Sequence, residues 1–307
     1  MHFEGISSES GRRFGSRRAR SHTRYAVAWF LCAGVLLIGT RAAVAEAAPA
    51  RPLDVQTALK GLHFTSATEL PAGPGAASHA EQCPGFTIEP VSAAGKRVQK
   101  LGWPVLSEAM LGRFRLVSFA GAFESGTSGS CMISRGNIAV FDGLQLRALA
   151  YAGTASDMSI GRLAPLEGGS VRVWSGDYPA MPTGDLRLLG DDRLQLGEVA
   201  AEESLCHGAV HVPNIFAMPI DKARQVLIAK GWAPATVKIA PSELFARERG
   251  FQQRGIVEVG GCAGTGYGFC TFRYRSAGAR LSVVTAGDPD DGGGSLPPVI
   301  HYSAQCR

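Results

Sequence analysis

The sequence predicts a mainly β protein with an α+β tail: an N-terminal antiparallel β sandwich or barrel, then a small disulfide-stapled α+β domain. Three observations carry this. Apolar and polar residues alternate with period two through much of residues 86–199. Turn-forming residues punctuate that alternation at short intervals. After Cys206 a helical period replaces it, and four of the cysteines gather there.

In chain order, residues 46–82 begin as an Ala/Pro-rich linker and continue with a short helical pattern, Val55 to Gly61. Phe114 and Leu116 then alternate with Arg113 and Arg115, and Leu144, Leu146 and Ala148 with Gln145 and Arg147. Val171 and Val173 flank Arg172, and Leu194 and Leu196 flank Gln195. Such alternation predicts strands with one buried and one wet face. Gly126 to Ser130, Asp142-Gly143, Glu167-Gly168-Gly169, Ser175-Gly176-Asp177 and Gly190-Asp191-Asp192 supply the turns, and many short strands so spaced suit a sandwich or barrel. Pro219 to Lys230 places Ile220, Ala223, Val226 and Leu227 on one helical face, with Pro219 opening the helix and Gly231 closing it. A weaker helix is expected over Pro241 to Gln253, then strands over 255–259, 269–274, 280–285 and 298–302.

The charge locates the compartment. The 307 residues carry a formal +5, but residues 1–45 hold seven basic and two acidic side chains, so the rest is balanced. That leader joins an Arg-rich start, a 15-residue uncharged run from Tyr25 to Gly39, and the small-residue site Ala43-Val44-Ala45. These are the parts of a secretory signal, and the run is shorter than a comfortable membrane span. The domain plan is therefore signal peptide 1–45, β domain 46–205 and α+β domain 206–307, in a periplasmic or secreted protein with no membrane span after cleavage. A neutral mature chain lacks the basic stripe that phosphate backbones require, which disfavours nucleic acid. Residues 46–206 carry −4 and residues 207–307 carry +4, a split that suits mutual docking and is too dilute to imply an anionic partner.

With Cys32 inside the apolar run, Cys83, Cys131, Cys206, Cys262, Cys270 and Cys306 remain. An even count in an exported chain implies disulfides, and six cysteines allow 15 pairings. Cys83 with Cys131, Cys262 with Cys270, and Cys206 with Cys306 is the partition expected from position. Cys206-His207-x-x-x-His211 is the nearest approach to a metal cluster, but its Gly208 and Pro213 make it a loop entering a strand, so no metal is expected. No cofactor is implied either.

His211 to Trp232 resembles the opening of a PASTA module, with Val212, Pro213, Met218, Ala223, Leu227 and Gly231 at the family's positions. The similarity continues more loosely to about residue 286 through Gly255-Ile256-Val257, Gly264 and Leu281 to Val284. Ala217 replaces a usual glycine, roughly 14 residues near 241–254 are extra, and cysteines frame the Gly-rich loop. The resemblance implies a small, non-catalytic αβ module of cell-envelope proteins, often associated with peptidoglycan. The wider chain resembles uncharacterised exported proteins of Gram-negative bacteria that share the strand-rich half and a CAGTG-type loop, here Cys262 to Gly266.

No complete catalytic set emerges. Gly126-Thr-Ser-Gly-Ser-Cys131 resembles the nucleophile loop of trypsin-like proteases, which would make Ser128 the candidate nucleophile. Thr127 stands where Asp is usual, and no aspartate lies between His79 and Ser128, so the His-Asp-Ser order fails. Gly264 to Gly268 lacks the following helix that a phosphate-binding loop needs. Asp288 to Gly294 lacks the twelfth-position glutamate of an EF-hand, Val299 standing there. For binding, Trp174, Asp177 and Tyr178 combine aromatics with a carboxylate beside a turn, a pattern suited to sugar, and Tyr267 sits at the tip of the Gly-rich loop. For Trp174 packing beneath the loop is the favoured role, because large aromatics are mostly buried. The leading reading is a non-enzymatic envelope binding or scaffolding protein that contacts peptidoglycan or another envelope protein. The alternatives are a secreted serine hydrolase using Ser128 or Ser130, and a protein-binding inhibitor module.

Overall fold

The computed structural model describes residues 53–153, 156, 158–236, 246–264, 266–288 and 294–306. The leader, Pro241 to Phe245 of the second expected helix, and residues 289–293 of the Asp288 loop lie outside them.

Ten strands build the N-terminal part. β1 (Asp54–Thr57) and β2 (Leu62–Ser66) come first, then β3 (Val105–Leu111), β4 (Phe114–Ser125), β5 (Cys131–Asp142) and β6 (Gln145–Ala152). β7 (Leu163–Pro165), β8 (Val171–Trp174), β9 (Pro182–Leu189) and β10 (Arg193–Gly197) follow. They form two five-stranded sheets, in the orders β2-β6-β5-β4-β3 and β1-β10-β9-β8-β7. Between the sheets lies one core that includes Phe64, Phe114, Leu116, Ile138, Val140, Ile160, Val171, Val173, Leu186, Leu194 and Leu196. The sandwich alternative of the sequence reading is therefore the one realised. All pairings are antiparallel except β1 with β10, which is parallel.

Two local expectations are corrected. Residues 55–61 are not helical: Val55 pairs with Leu194, and Leu62 with Ala152. The segment is too short to sustain a helix alone, whereas the sheet edge at β10 offers Val55 to Thr57 ladder partners. Conversely, residues 86–199 contain a helix, α1 (Ala93–Lys100). Ser92 caps it by accepting from Gly95 N at 2.9 Å, and Glu108 Oε2 accepts from Val91 N at 3.0 Å and Ser92 N at 3.2 Å. Burial works against the charged form of Glu108, but the hydrogen bond from the Ser92 hydroxyl, then those from the Ser92 and Val91 backbone and the charge of Arg115, outweigh it and hold the carboxyl below its ordinary value. α1 lays Ala94 and Val98 over Val117, Phe119, Ala139 and Phe141, so β4 and β5 are covered on both faces. Leu144, expected inside, is exposed in the turn before β6.

The C-terminal part begins with a hairpin, β11 (Glu202–Leu205) and β12 (Val210–Pro213); the 205/206 boundary falls at its tip. α2 (Ile220–Ala229) follows, then β13 (Ala233–Pro234), α3 (Ala246–Gln253), β14 (Val259–Cys262), β15 (Cys270–Arg275), β16 (Ala279–Thr285) and β17 (Val299–Cys306). β13-β15-β16-β17 form a sheet, and β14 also joins β15. α2 buries Ile220, Ala223 and Leu227 as its pattern predicts. Gly231, at φ +86°, reverses the chain after the helix. Trp232 then packs back, its backbone N–H on Leu227 O and its Nε1 donating to His211 O, each at 3.0 Å. These residues share a second core with Val212, Phe251, Phe272, Leu281 and Val283.

All three expected disulfides are present: Cys83–Cys131, Cys206–Cys306 and Cys262–Cys270. The third links directly opposed residues of β14 and β15. The second joins residues 100 apart, tying the hairpin to β17. Among the described residues no helix is long and apolar enough to cross a membrane.

Closing a loop of that length removes much unfolded-state entropy. The double variant C206S/C306S should therefore lose about 3–5 kcal/mol in denaturant unfolding, with the Cys83–Cys131 pairing unchanged on peptide mapping.

Candidate functional site

Along β8, Val171 and Val173 face the sandwich core while Arg172 and Trp174 share the opposite face. The alternation is as read from the sequence, but the second face is not wet. Arg172 is 2% exposed. Its Nε donates to Asp185 Oδ1 at 3.0 Å, Nη2 to Asp185 Oδ2 at 3.3 Å, and Nη1 to Glu203 Oε2 at 2.6 Å. Glu203, on β11, also accepts from Tyr302 Oη of β17 at 3.1 Å. The guanidinium carbon lies 5.5 Å from the Phe216 ring centroid, and Phe216 packs on Tyr302 at 4.6 Å. Burial alone would lower the Arg172 pKa; the hydrogen bond and charge of Asp185, then the charge of Glu203, outweigh it and leave the group firmly protonated. Burial and the Glu203 charge together push the Tyr302 hydroxyl above its ordinary value.

Two residues on, Trp174 packs edge-on against Phe216 at 5.6 Å and lies 6.0 Å from the His301 ring. The chain then makes a loop, residues 175–181, pinned by its backbone. Gly176 O accepts from Ile133 N at 2.8 Å, and Gly176 N donates to Ser159 Oγ at 3.0 Å. Ser175 N donates to Met181 O at 2.7 Å. Glycine is required at 176, because a Cβ there would stand 1.9 Å from Ile133 O. The same Ser159 hydroxyl donates to Asp177 Oδ2 at 2.9 Å, fixing the carboxylate at the loop's exposed turn.

This loop meets the Gly-rich loop of the C-terminal part. Tyr178 lies 5.1 Å from Tyr267 and 6.4 Å from Phe269, and Tyr267 stacks on Phe269 at 5.7 Å. Tyr267 O accepts from Gly287 N at 2.8 Å. Beside this contact lies a cleft of about 580 Å³, lined by Trp174, Asp177, Tyr178, Phe86, Phe269, His301 and Arg162 among others. Its walls are aromatic and its polar groups few, the composition of a small-ligand site.

The four sequence-nominated binding residues are thus brought together: Trp174, Asp177 and Tyr178 line the cleft, and Tyr267 buttresses Tyr178. Trp174 both packs and lines. Sequence reasoning missed Phe269, His301 and Arg162. Phe269 reads as an ordinary first strand residue, and His301 becomes relevant only through the β8–β17 contact. Burial holds the His301 pKa below its ordinary value of 6.5, against the opposing pull of Glu203, so at neutral pH the imidazole offers one donor and one acceptor without charge.

The other nominations do not converge. Ser128 is exposed in a tight turn at φ 57°, and Ser130 Oγ donates to Thr127 O at 2.8 Å. His63 stacks on Tyr151, and His79 and His211 face Glu81 and Glu202. Cys206 is consumed in its disulfide, and among the described residues no group of three or more His, Cys, Asp and Glu is placed to hold a metal. No protein-family model, curated protein or solved structure matches the chain.

Replacing Arg172 by Met takes the fork off fully buried Asp185, leaving it the longer contact to Arg187 Nη2 at 3.4 Å, and should cost about 3 kcal/mol in chemical denaturation. NMR titration of His301 should give a midpoint below 6.5. Because the unfolded chain then binds the proton more readily, this residue's contribution makes the fold less stable as pH falls from 6.5 toward that midpoint. His301→Gln should flatten that part of the stability profile.

Proposed function

We propose that the protein is an exported, non-enzymatic binding protein of the cell envelope, and that the cleft between residues 174–181 and β17 takes a saccharide-bearing fragment of peptidoglycan. One observation carries the reading: the loop nominated at Trp174 to Tyr178 lines a cleft with Phe86 and Phe269, rimmed by Asp177, Arg162 and His301, and Tyr267 of the Gly-rich loop braces Tyr178. Sugar rings present apolar C–H faces and hydroxyl edges. Trp174, Tyr178 and Phe269 suit the faces, and the rim groups suit the hydroxyls. The three disulfides support an oxidising compartment, hence periplasm or cell surface. The secretory pattern of residues 1–45 supports the same address. The PASTA resemblance over 212–286 supports the envelope association, and the C-terminal part contributes Phe269 and His301 from within that span and just beyond it.

Purified protein should co-sediment with isolated peptidoglycan, and soluble muropeptides should perturb tryptophan fluorescence. Trp174→Ala should weaken that binding roughly tenfold, on the scale of one aromatic contact in a desolvated site. Protein that stays wholly in the supernatant, with no fluorescence response, would remove the peptidoglycan assignment.

A further inference from the structure

The outer face of the C-terminal sheet carries a second, differently built surface. On β15, Phe272 and Tyr274 point into the core while Arg273 and Arg275 are exposed; on β16, Leu281 and Val283 are buried while Arg280 is exposed. The register sets Arg273 beside Ser282, and Ser282 beside Ser303. It sets Arg275 directly opposite Arg280, and Arg280 opposite Gln305. These six side chains line a groove of about 760 Å³, and among the described residues its lining holds no acid.

Like charges directly opposed across a sheet are destabilising. Several other arginines of this protein are answered by acids: Arg113 by Asp142 and Asp192, Arg193 by Asp54, Arg224 by Glu258, Arg247 by Asp288. Among the described residues, no carboxylate lies within ion-pair distance of Arg273, Arg275 or Arg280. Room is also made for Arg273: a Cβ on Gly260, at the β14 bulge, would stand 2.8 Å from its Nε. Spread along the sequence, the +4 of residues 207–307 is dilute; the strand register concentrates three cations on one face.

We propose that this groove binds an acidic polysaccharide. Guanidinium forks take carboxylates in bidentate fashion, and Ser282, Ser303 and Gln305 supply the donors and acceptors that sugar hydroxyls need. The face offers no exposed aromatic ring for base stacking, since Tyr274 is 1% exposed, which disfavours a single-stranded nucleic acid. The groove shares no lining residue with the aromatic cleft, so its test reads independently of the peptidoglycan assignment.

The test is fluorescence anisotropy of a labelled short oligogalacturonate titrated with the full protein at low ionic strength. Saturable binding is expected, weakened by added salt. It should fall roughly tenfold in Arg275→Ala or Arg280→Ala and be lost in the triple variant R273A/R275A/R280A. Arg280→Lys should fall between wild type and Arg280→Ala, because lysine keeps the charge and loses the fork. The three side chains are exposed, so near-UV circular dichroism should match wild type, and the melting temperature should be no lower, since relief of the Arg275–Arg280 repulsion acts to raise it. The proposal is overturned if wild type does not bind the probe, or if the folded triple variant binds as wild type does. Equal affinity for neutral dextran, or for a single-stranded oligonucleotide of the same charge, also overturns it.

Discussion

The structure is organised around one buried cation. Arg172 leaves the sandwich on the outer face of β8 and is enclosed by Asp185 from the neighbouring strand, Glu203 from the hairpin, and the Phe216–Tyr302 pair of the C-terminal part. A guanidinium at this depth is tolerable only with its charge matched and its donors used. The partners that satisfy it come from three separate stretches of chain. Satisfying one side chain therefore fixes how β8, the β11–β12 hairpin and β17 lie against one another. The docking suggested by opposite net charges is a separate matter, since Arg172 and Glu203 both fall within residues 46–206.

The aromatic cleft follows from this arrangement. Trp174 is two residues beyond Arg172 on the same strand face, so the contact that buries one brings the other against His301. The loop from Ser175 to Met181 is then held to β5 by the Gly176–Ile133 hydrogen bond, which delivers Tyr178 to the Gly-rich loop. A pocket wall assembled from a fixed strand and a pinned loop needs little reorganisation on binding, which conserves ligand affinity.

Much of this was legible in the sequence, and the failures have physical causes. The sandwich strands, α2 and its Trp232 return, and the disulfide partition all follow from local patterns: period two, period 3.6 with its stop signal, and cysteine position. Arg172 was misread because alternation reports which residues share a face, not whether water or another part of the chain covers it. α1 was missed because a weakly apolar segment, Ala93 to Lys100, becomes helical through a cap and a carboxylate that lies 16 residues away from the cap. Residues 55–61 went the other way, since sheet edges override a short helical preference. At the site, the nominated aromatics were visible as residues beside turns. Phe269 and His301 were not, because their importance depends on which strand neighbours which loop.

The Cys206–Cys306 bond has a mechanical consequence. β17 carries His301 of the cleft and, further along, Ser303 and Gln305 of the groove; it pairs with β16, and at its start Val299 also accepts from Ala217 N and donates to Met218 O, each at 2.8 Å. Past Val299 the strand runs along β16, and the sulfur bridge fastens its last residue to the hairpin at Cys206. The strand cannot fray from that end without carrying the hairpin with it.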